Sequence, residues 1–224
     1  AALVARLAPR AVPLAELERD DPPPAVERRA SDPCSIIYTS GTTGPAKGVL
    51  QSYRWINQYT QMFRMFDAPD DVIYCDLPMY HVGGAYFMLG RAVWTGCTVG
   101  LWDRFSPANF WARVHEVGAT AGILLDVMVP YLMAQPPSGT ERANPLRRIH
   151  IQPYSAQHHA FAERFGIDWM TVGFGQTEAG HVFSSVIDEF PDGEAKAPEW
   201  RRALSKAAFR EVARAHDRRI YDGR

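Results

Sequence analysis

Apolar residues along this chain alternate between short continuous runs and spaced stripes. Ser35-Ile36-Ile37-Tyr38-Thr39 is β-branched and aromatic, the composition of a buried strand. From Gly48 to Phe66 the apolar residues Val49, Tyr53, Ile56, Tyr59, Phe63 and Phe66 recur at three- and four-residue spacing, which predicts a helix. The same order then repeats. Val72–Cys75 predicts a strand, Ala85–Val93 a glycine-containing helix, and Thr98–Trp102 another strand. Ser106-Pro107 reads as a helix start with Gly118 as its stop, and Phe110, Val114 and Val117 form the buried face. Thr120–Leu125 (strand), Val127–Met133 (short helix, interrupted by Pro130), Arg148–Gln152 (strand), Ala156–Phe165 (helix) and Trp169–Val172 (strand) complete the series. Strands and helices in alternation predict an α/β fold, with parallel-rich sheets flanked by helices.

Both ends break the pattern. The leading segment, 1–31, is rich in Ala, Pro, Arg and Glu, and reads as a short helix or strand followed by the stiff Pro22-Pro23-Pro24 connector. The tail, 188–224, is densely charged, and its Glu199–His216 stretch is strongly helical in composition. Its apolar face is narrow, which predicts an exposed helix or one awaiting a partner. The α/β core is thus expected over 32–187.

Composition narrows the function classes. Of 224 residues, 46% are hydrophobic and the formal net charge is −1, so the chain lacks the surplus of Lys and Arg that a nucleic-acid or anionic-membrane binder needs. No run of about 18 apolar residues is present to predict a membrane span. Cys34, Cys75 and Cys97 are far apart and form no CxxC pair, so neither a disulfide framework nor a zinc site is expected, and a reducing, cytoplasmic setting fits best. Cys34 reads as a small buried hydrophobe before a nucleophile. His158 and His159 are adjacent and no HExxH occurs, which argues against histidine-based metal binding.

The most informative segment is Tyr38-Thr39-Ser40-Gly41-Thr42-Thr43-Gly44-Pro45-Ala46-Lys47-Gly48, expected between a strand and a helix. Its glycines let backbone approach a ligand closely, and its hydroxyls and free N–H groups suit phosphate oxygens. Lys47 adds a compact cation, and the expected helix would add the positive end of its dipole. The bland reading is a surface loop whose hydroxyls only cap the next helix; the ordered content and terminal lysine favour phosphate binding. It is not a Walker A loop, because Ala46 stands where a glycine is required. Gly173-Phe174-Gly175 is not a dinucleotide fingerprint either, since Glu178 takes the third glycine position.

Thr39 through Gly48 closely resembles the Thr-Ser-Gly-Thr-Thr-Gly-x-x-Lys-Gly loop of the adenylate-forming (AMP-binding) superfamily, which includes acyl-CoA synthetases, peptide-synthetase adenylation domains and luciferases. The resemblance implies that Thr39, Ser40, Gly41, Thr42, Thr43, Gly44 and Lys47 handle the phosphates of ATP. A second segment, Gly173-Phe174-Gly175-Gln176-Thr177-Glu178, resembles the family's aromatic-Gly-x-Thr-Glu motif. It implies adenine contact by Phe174 and Gly175, α-phosphate contact by Thr177, and Mg²⁺ binding by Glu178. Lys47, Thr177 and Glu178 are then the expected catalytic residues. A hard cation held by one carboxylate plus substrate phosphates is sensible chemistry for Mg²⁺.

Leu77-Pro78-Met79-Tyr80-His81-Val82-Gly83-Gly84 resembles the Pro-x-aromatic-His segment of the acyl-CoA synthetase branch, implying substrate contacts at His81 and Gly83. A histidine that only braces a turn is the competing reading of His81. The Asp that amino-acid-activating domains place nearby has no counterpart here, since Asp76 is out of position. The stretch from Phe105 through Pro137 is similar to crotonobetaine/carnitine-type CoA ligases. The resemblance implies part of the large N-terminal domain of an enzyme that uses ATP, Mg²⁺ and CoA to convert a small or medium carboxylic acid first to an acyl-adenylate, then to a thioester.

Three departures qualify this. Ile151-Gln152-Pro153-Tyr154-Ser155-Ala156 replaces a Gly-Gly-Ala/Ser-rich loop that borders adenine in the family. No Thr-Gly-Asp follows Glu178, and the match is expected to cover only about Asp32–Val186, the middle of a synthetase. The chain, which lacks a starting Met, is therefore expected to carry only part of the machinery and to show little or no CoA ligation. The competing class is a catalytically incomplete nucleotide-binding remnant; amino-acid activation is a third reading.

Overall fold

The computed structural model describes residues 25–39 and 44–223. Most of the leading segment, and Ser40, Gly41, Thr42 and Thr43, lie outside the described residues. A two-stranded antiparallel hairpin, β1 (Pro33–Thr39) and β2 (Lys47–Ser52), precedes a seven-stranded sheet. The hairpin corrects the sequence reading in two ways. The glycine-hydroxyl loop joins two strands, with Thr39 opposite Lys47, and does not run from a strand into a helix. The helix α1 begins only at Tyr53 and ends at Arg64, because the Ser52 side chain accepts the Trp55 N–H and caps it there. Nor is β1 a buried strand: Ile37 is buried, while Ile36 and Tyr38 are exposed.

The large sheet contains β3 (Val72–Cys75), β4 (Thr98–Leu101), β5 (Ala121–Leu125), β6 (Arg148–Gln152), β7 (Trp169–Gln176), β8 (Gly180–Asp188) and β9 (Ile220–Asp222). Their order is β4-β3-β5-β6-β7-β8-β9. All neighbours are parallel except β7 and β8, as the strand–helix alternation predicts. Between β3 and β4 lie a π-helix (Gly83–Gly90) and α2 (Arg91–Thr95), where the sequence predicted one helix. Gly84 is required there, since a Cβ would lie 2.7 Å from the Leu77 carbonyl oxygen and collide with that of Pro78.

The helix α3 spans Phe110–Val117, starting later than Ser106-Pro107 suggested; the residues before it form a turn. Gly118 ends it at φ 67°, the left-handed conformation that glycine adopts without strain. The helices α4 (Val129–Met133, with Pro130 in its first turn) and α5 (His158–Phe165) follow β5 and β6. One core cluster fills the space between sheet and helices, with Tyr74, Phe87, Phe110, Phe161 and Phe165 among its members.

The tail departs most from expectation. Its helix α6 runs from Lys206 to Ala215, shorter than predicted, and its apolar face is filled. Phe209 stacks between Phe66 (4.1 Å between ring centroids) and Trp169 (4.0 Å). Asp188, in β8, accepts from Lys206 Nζ at 2.6 Å and Arg210 Nη2 at 2.5 Å, while β9 extends the sheet beside β8. Glu189 accepts from His158 Nδ1 (2.5 Å) and His159 Nδ1 (2.8 Å), so both histidines are engaged by a carboxylate. All three cysteines are free. Cys34 donates to the Gln51 carbonyl, and burial pushes its thiol above the ordinary value, which suits packing more than nucleophilic attack.

Candidate functional site

In an open α/β sheet, ligands bind beyond the carboxyl ends of the strands where the strand order reverses. Here the chain passes from β3 outward to β4, then back to β5 on the other side of β3. A cavity of about 930 Å³ opens at that end. Its wall is built at the carboxyl ends of four parallel strands: Leu77, His81, Val82 and Gly83 after β3, Leu125 at the end of β5, Gln152 at the end of β6 with Pro153 after it, and Gly175 and Gln176 at the end of β7 with Thr177 and Glu178 after them. The hairpin closes it with Thr39, Gly44, Pro45 and Lys47.

The cavity thus unites most of the described residues that the sequence singled out. Thr39, Gly44, Lys47, His81, Gly83, Gly175, Thr177 and Glu178 all line it. Two motifs separated by more than a hundred positions meet because Gln51, fully buried in β2, accepts from Ser35 Oγ at 2.9 Å and donates from Nε2 to the Thr177 carbonyl at 3.5 Å. Thr177 is itself buried, in the turn between β7 and β8. Phe174 is set apart. It is absent from the cavity wall, and its half-exposed ring stacks on Phe183 with centroids 5.8 Å apart.

His81 receives the Gly83 backbone N–H on Nδ1 at 3.0 Å. A nitrogen that accepts cannot carry a proton, so the neutral ring presents Nε2–H as a donor. Desolvation lowers the imidazole pKa, and the Gly83 contact acts in the same direction. Tyr59, stacked on Trp55 at 4.6 Å, offers a phenol that burial pushes up to about 12, so it remains an O–H donor. Lys47 and Glu178 are exposed. No cluster of three His, Cys, Asp or Glu that could hold a metal exists among the described residues. The lone carboxylate of Glu178 fits a magnesium ion that arrives with a nucleotide better than a resident ion.

Sequence reasoning missed Tyr59, Ile123, Leu125 and Gln152 as lining residues. The signal was available for three of them, since they lie at the carboxyl ends of predicted strands. Asp76 is not in the wall: it is buried and bonded to the Tyr74 hydroxyl at 2.8 Å. No helix among the described residues is long and apolar enough to cross a membrane.

Comparison with known proteins gives the same assignment. The model of the AMP-binding enzyme family matches residues 3–206, extending past both limits expected from the motifs. The crotonobetaine/carnitine–CoA ligase of Shigella sonnei (strain Ss046) is 30% identical over 177 residues, 77% of this chain and 33% of that protein. The chain therefore spans about a third of the length of the curated relatives it matches. The N-terminal domain of FACL13 from Mycobacterium tuberculosis shares the fold, with a TM-score of 0.65 at 20% identity over 88% of this chain and 46% of that one. The ATP-bound RpMatB-BxBclM chimera B3 is 25% identical, with a TM-score of 0.62 over 80% of this chain and 35% of that one. On sequence and fold together, the chain belongs to the AMP-binding enzyme family.

Proposed function

We propose that the cavity binds ATP and a carboxylic acid, and that the whole protein joins them into an acyl-adenylate and passes the acyl group to CoA. The observation that carries this is the meeting of two distant motifs, through Gln51, at the carboxyl ends of four parallel strands. The ATP-bound neighbour supports the nucleotide part, and the ligase relatives support the acid and CoA.

Attack of a carboxylate on the α-phosphorus displaces pyrophosphate and gathers negative charge on phosphate oxygens, so catalysis is chiefly positioning and electrostatic stabilisation. Lys47 supplies a mobile positive charge at the cavity mouth, and the Thr177 hydroxyl a donor held in place by its buried turn. By resemblance, Ser40, Gly41, Thr42 and Thr43 add loop donors, with Thr39 and Gly44 at the loop's ends. Glu178 would hold Mg²⁺, which neutralises phosphate charge when bound. Adenine would lie along Gly175; a role for Phe174 requires its ring to leave Phe183. His81 Nε2–H is suited to orienting the acid's oxygen, with Gly83 fixing the ring.

ATP binding by calorimetry, and ATP–pyrophosphate exchange across a panel of carboxylic acids, test the reading on this chain and on the longest natural protein containing it. The chain is expected to bind ATP and to form little or no thioester, while the longer protein exchanges with its acid. Absence of ATP binding to either would overturn the proposal, and robust thioester formation by the 224 residues would overturn the expected incompleteness. Exchange dependent on amino acids alone would instead favour an aminoacyl-activating enzyme.

A further inference from the structure

Beneath the apolar side of the cavity lies a polar chain that the proposed reaction does not use. Ile123 and Leu125 in β5 stand beside His150 and Gln152 in β6, and His150 stands beside Thr171 in β7. These residues share one face of the sheet, because alternate strand positions point the same way. His150 is buried, with Nδ1 3.1 Å from Thr171 Oγ1 and Nε2 3.1 Å from Gln152 Oε1. Burial holds its pKa down at about 3, so the ring is neutral and has a single N–H. With the Gln152 oxygen facing the ring, that proton sits on Nε2 and Thr171 donates to Nδ1. The Gln152 carboxamide turns its oxygen inward, and its NH₂, which has no partner among the described residues, is the end left for the cavity.

Aromatic rings surround His150. Phe63 and Phe87 each lie 4.8 Å from the His150 ring, and His181 lies 4.9 Å from Phe63. A ligand lying against Leu77, Val82 and Leu125 also meets the Gln152 side chain, whose NH₂ is open to water in the cavity. An alkyl chain laid over that donor strips it of water without replacing the hydrogen bond; an oxygen acceptor replaces it.

We propose that Gln152, held by His150, is a specificity-determining donor of this site, and that the acid it selects carries a hydroxyl or oxo group of its own. This rests on the acid-activating reading above. Gln152 is the contact residue, and His150 a positioning residue that acts through it.

The test uses non-hydrolysable adenosine sulfamates bearing 3-hydroxybutanoyl, 3-oxobutanoyl or 3-methylbutanoyl groups, titrated calorimetrically into the full chain beside AMP. The hydroxy or oxo compound should bind about tenfold more tightly than the methyl isostere. Gln152→Leu should reduce that ratio to within about twofold of one. His150→Leu should reduce it too, whereas His150→Gln, which still offers a donor to Gln152, should retain it. Gln152→Leu decides the matter if the His150 variants fail to fold. Equal binding of hydroxy and methyl compounds, or a ratio unchanged by Gln152→Leu, would overturn the inference while leaving adenylate binding intact. So would an equal loss for AMP and every analogue in Gln152→Leu, which would assign the side chain to the nucleotide. Failure of AMP and all the analogues to bind would instead overturn the underlying acid-activating reading, and this inference with it.

Discussion

The hairpin β1–β2 and the tail after Asp188 are opposites in how sequence relates to structure. The hairpin carries the most readable chemistry of the chain, yet it is barely packed: Ile36, Tyr38 and Leu50 are 57%, 69% and 64% exposed. The tail reads as a solvated appendage, yet Lys206, Glu189 and Phe209 are 4%, 1% and 1% exposed. A binding loop is written in local residue types and spacings, whereas the burial of a charged segment depends on partners elsewhere. Lys206 and Arg210 are surface-like until Asp188 is seen between them. Arg147 belongs to the preceding core, but its guanidinium binds Asp168, Glu194 and the Leu204 carbonyl, and so fastens the tail to the sheet.

The largest expected effect breaks or upholds this contrast directly. Phe209→Ala removes the middle ring of a three-ring stack and leaves a cavity, at a cost of about 3–5 kcal/mol. Urea denaturation of the variant against the parent chain measures it. A loss below about 1 kcal/mol would return the tail to the peripheral status its composition suggests.

Acidification strikes a third region, the floor formed by the buried His150 and His181, which resembles the tail in burying polar groups but leaves them uncharged. Burial lowers His150 to about 3 and His181 to about 4, and in the unfolded chain both titrate near 6.5. The unfolded state therefore takes up protons first. Stability is fully present above about pH 6.5 and falls as the pH drops towards the folded values, by about 2 kcal/mol per histidine at pH 5. Denaturation midpoints at pH 7.5 and pH 5 should show the loss, and His181→Leu should shrink it. The same pH dependence in Phe209→Ala as in the parent would separate the floor from the tail.

Much of the sheet was legible because parallel strands buried on both faces read as apolar runs: Val72–Cys75, Thr120–Leu125 and Arg148–Gln152 each fall within a residue or so of a strand. The hairpin was misread because Val49, Tyr53 and Ile56 keep helical spacing across a boundary that Ser52 sets by its cap. The motif residues of the cavity were legible because they are glycines, hydroxyls and a lysine in a fixed local order. Tyr59 was not. Its place comes from packing against β8 and the π-helix, which no local spacing records.

The smallest expected effect sharpens the contrast from the other side. Lys47 is exposed at the start of β2, and its backbone carbonyl, not its ammonium, makes the local contact with Thr39 Oγ1. Lys47→Ala therefore removes little that holds the fold and should change unfolding free energy by less than about 0.5 kcal/mol. If Lys47 serves the phosphates, the same variant should weaken ATP binding about tenfold, equivalent to about 1.4 kcal/mol, and the loss should diminish as salt screens the charge. Calorimetric titration of ATP at two ionic strengths, beside denaturation of the same sample, reads both quantities. Phe209→Ala should do the reverse, costing stability while sparing the affinity of whatever fraction is folded. A Lys47→Ala protein that unfolds easily yet binds ATP normally would mean that the hairpin is structure first, and that the resemblance of its loop has been given the wrong work.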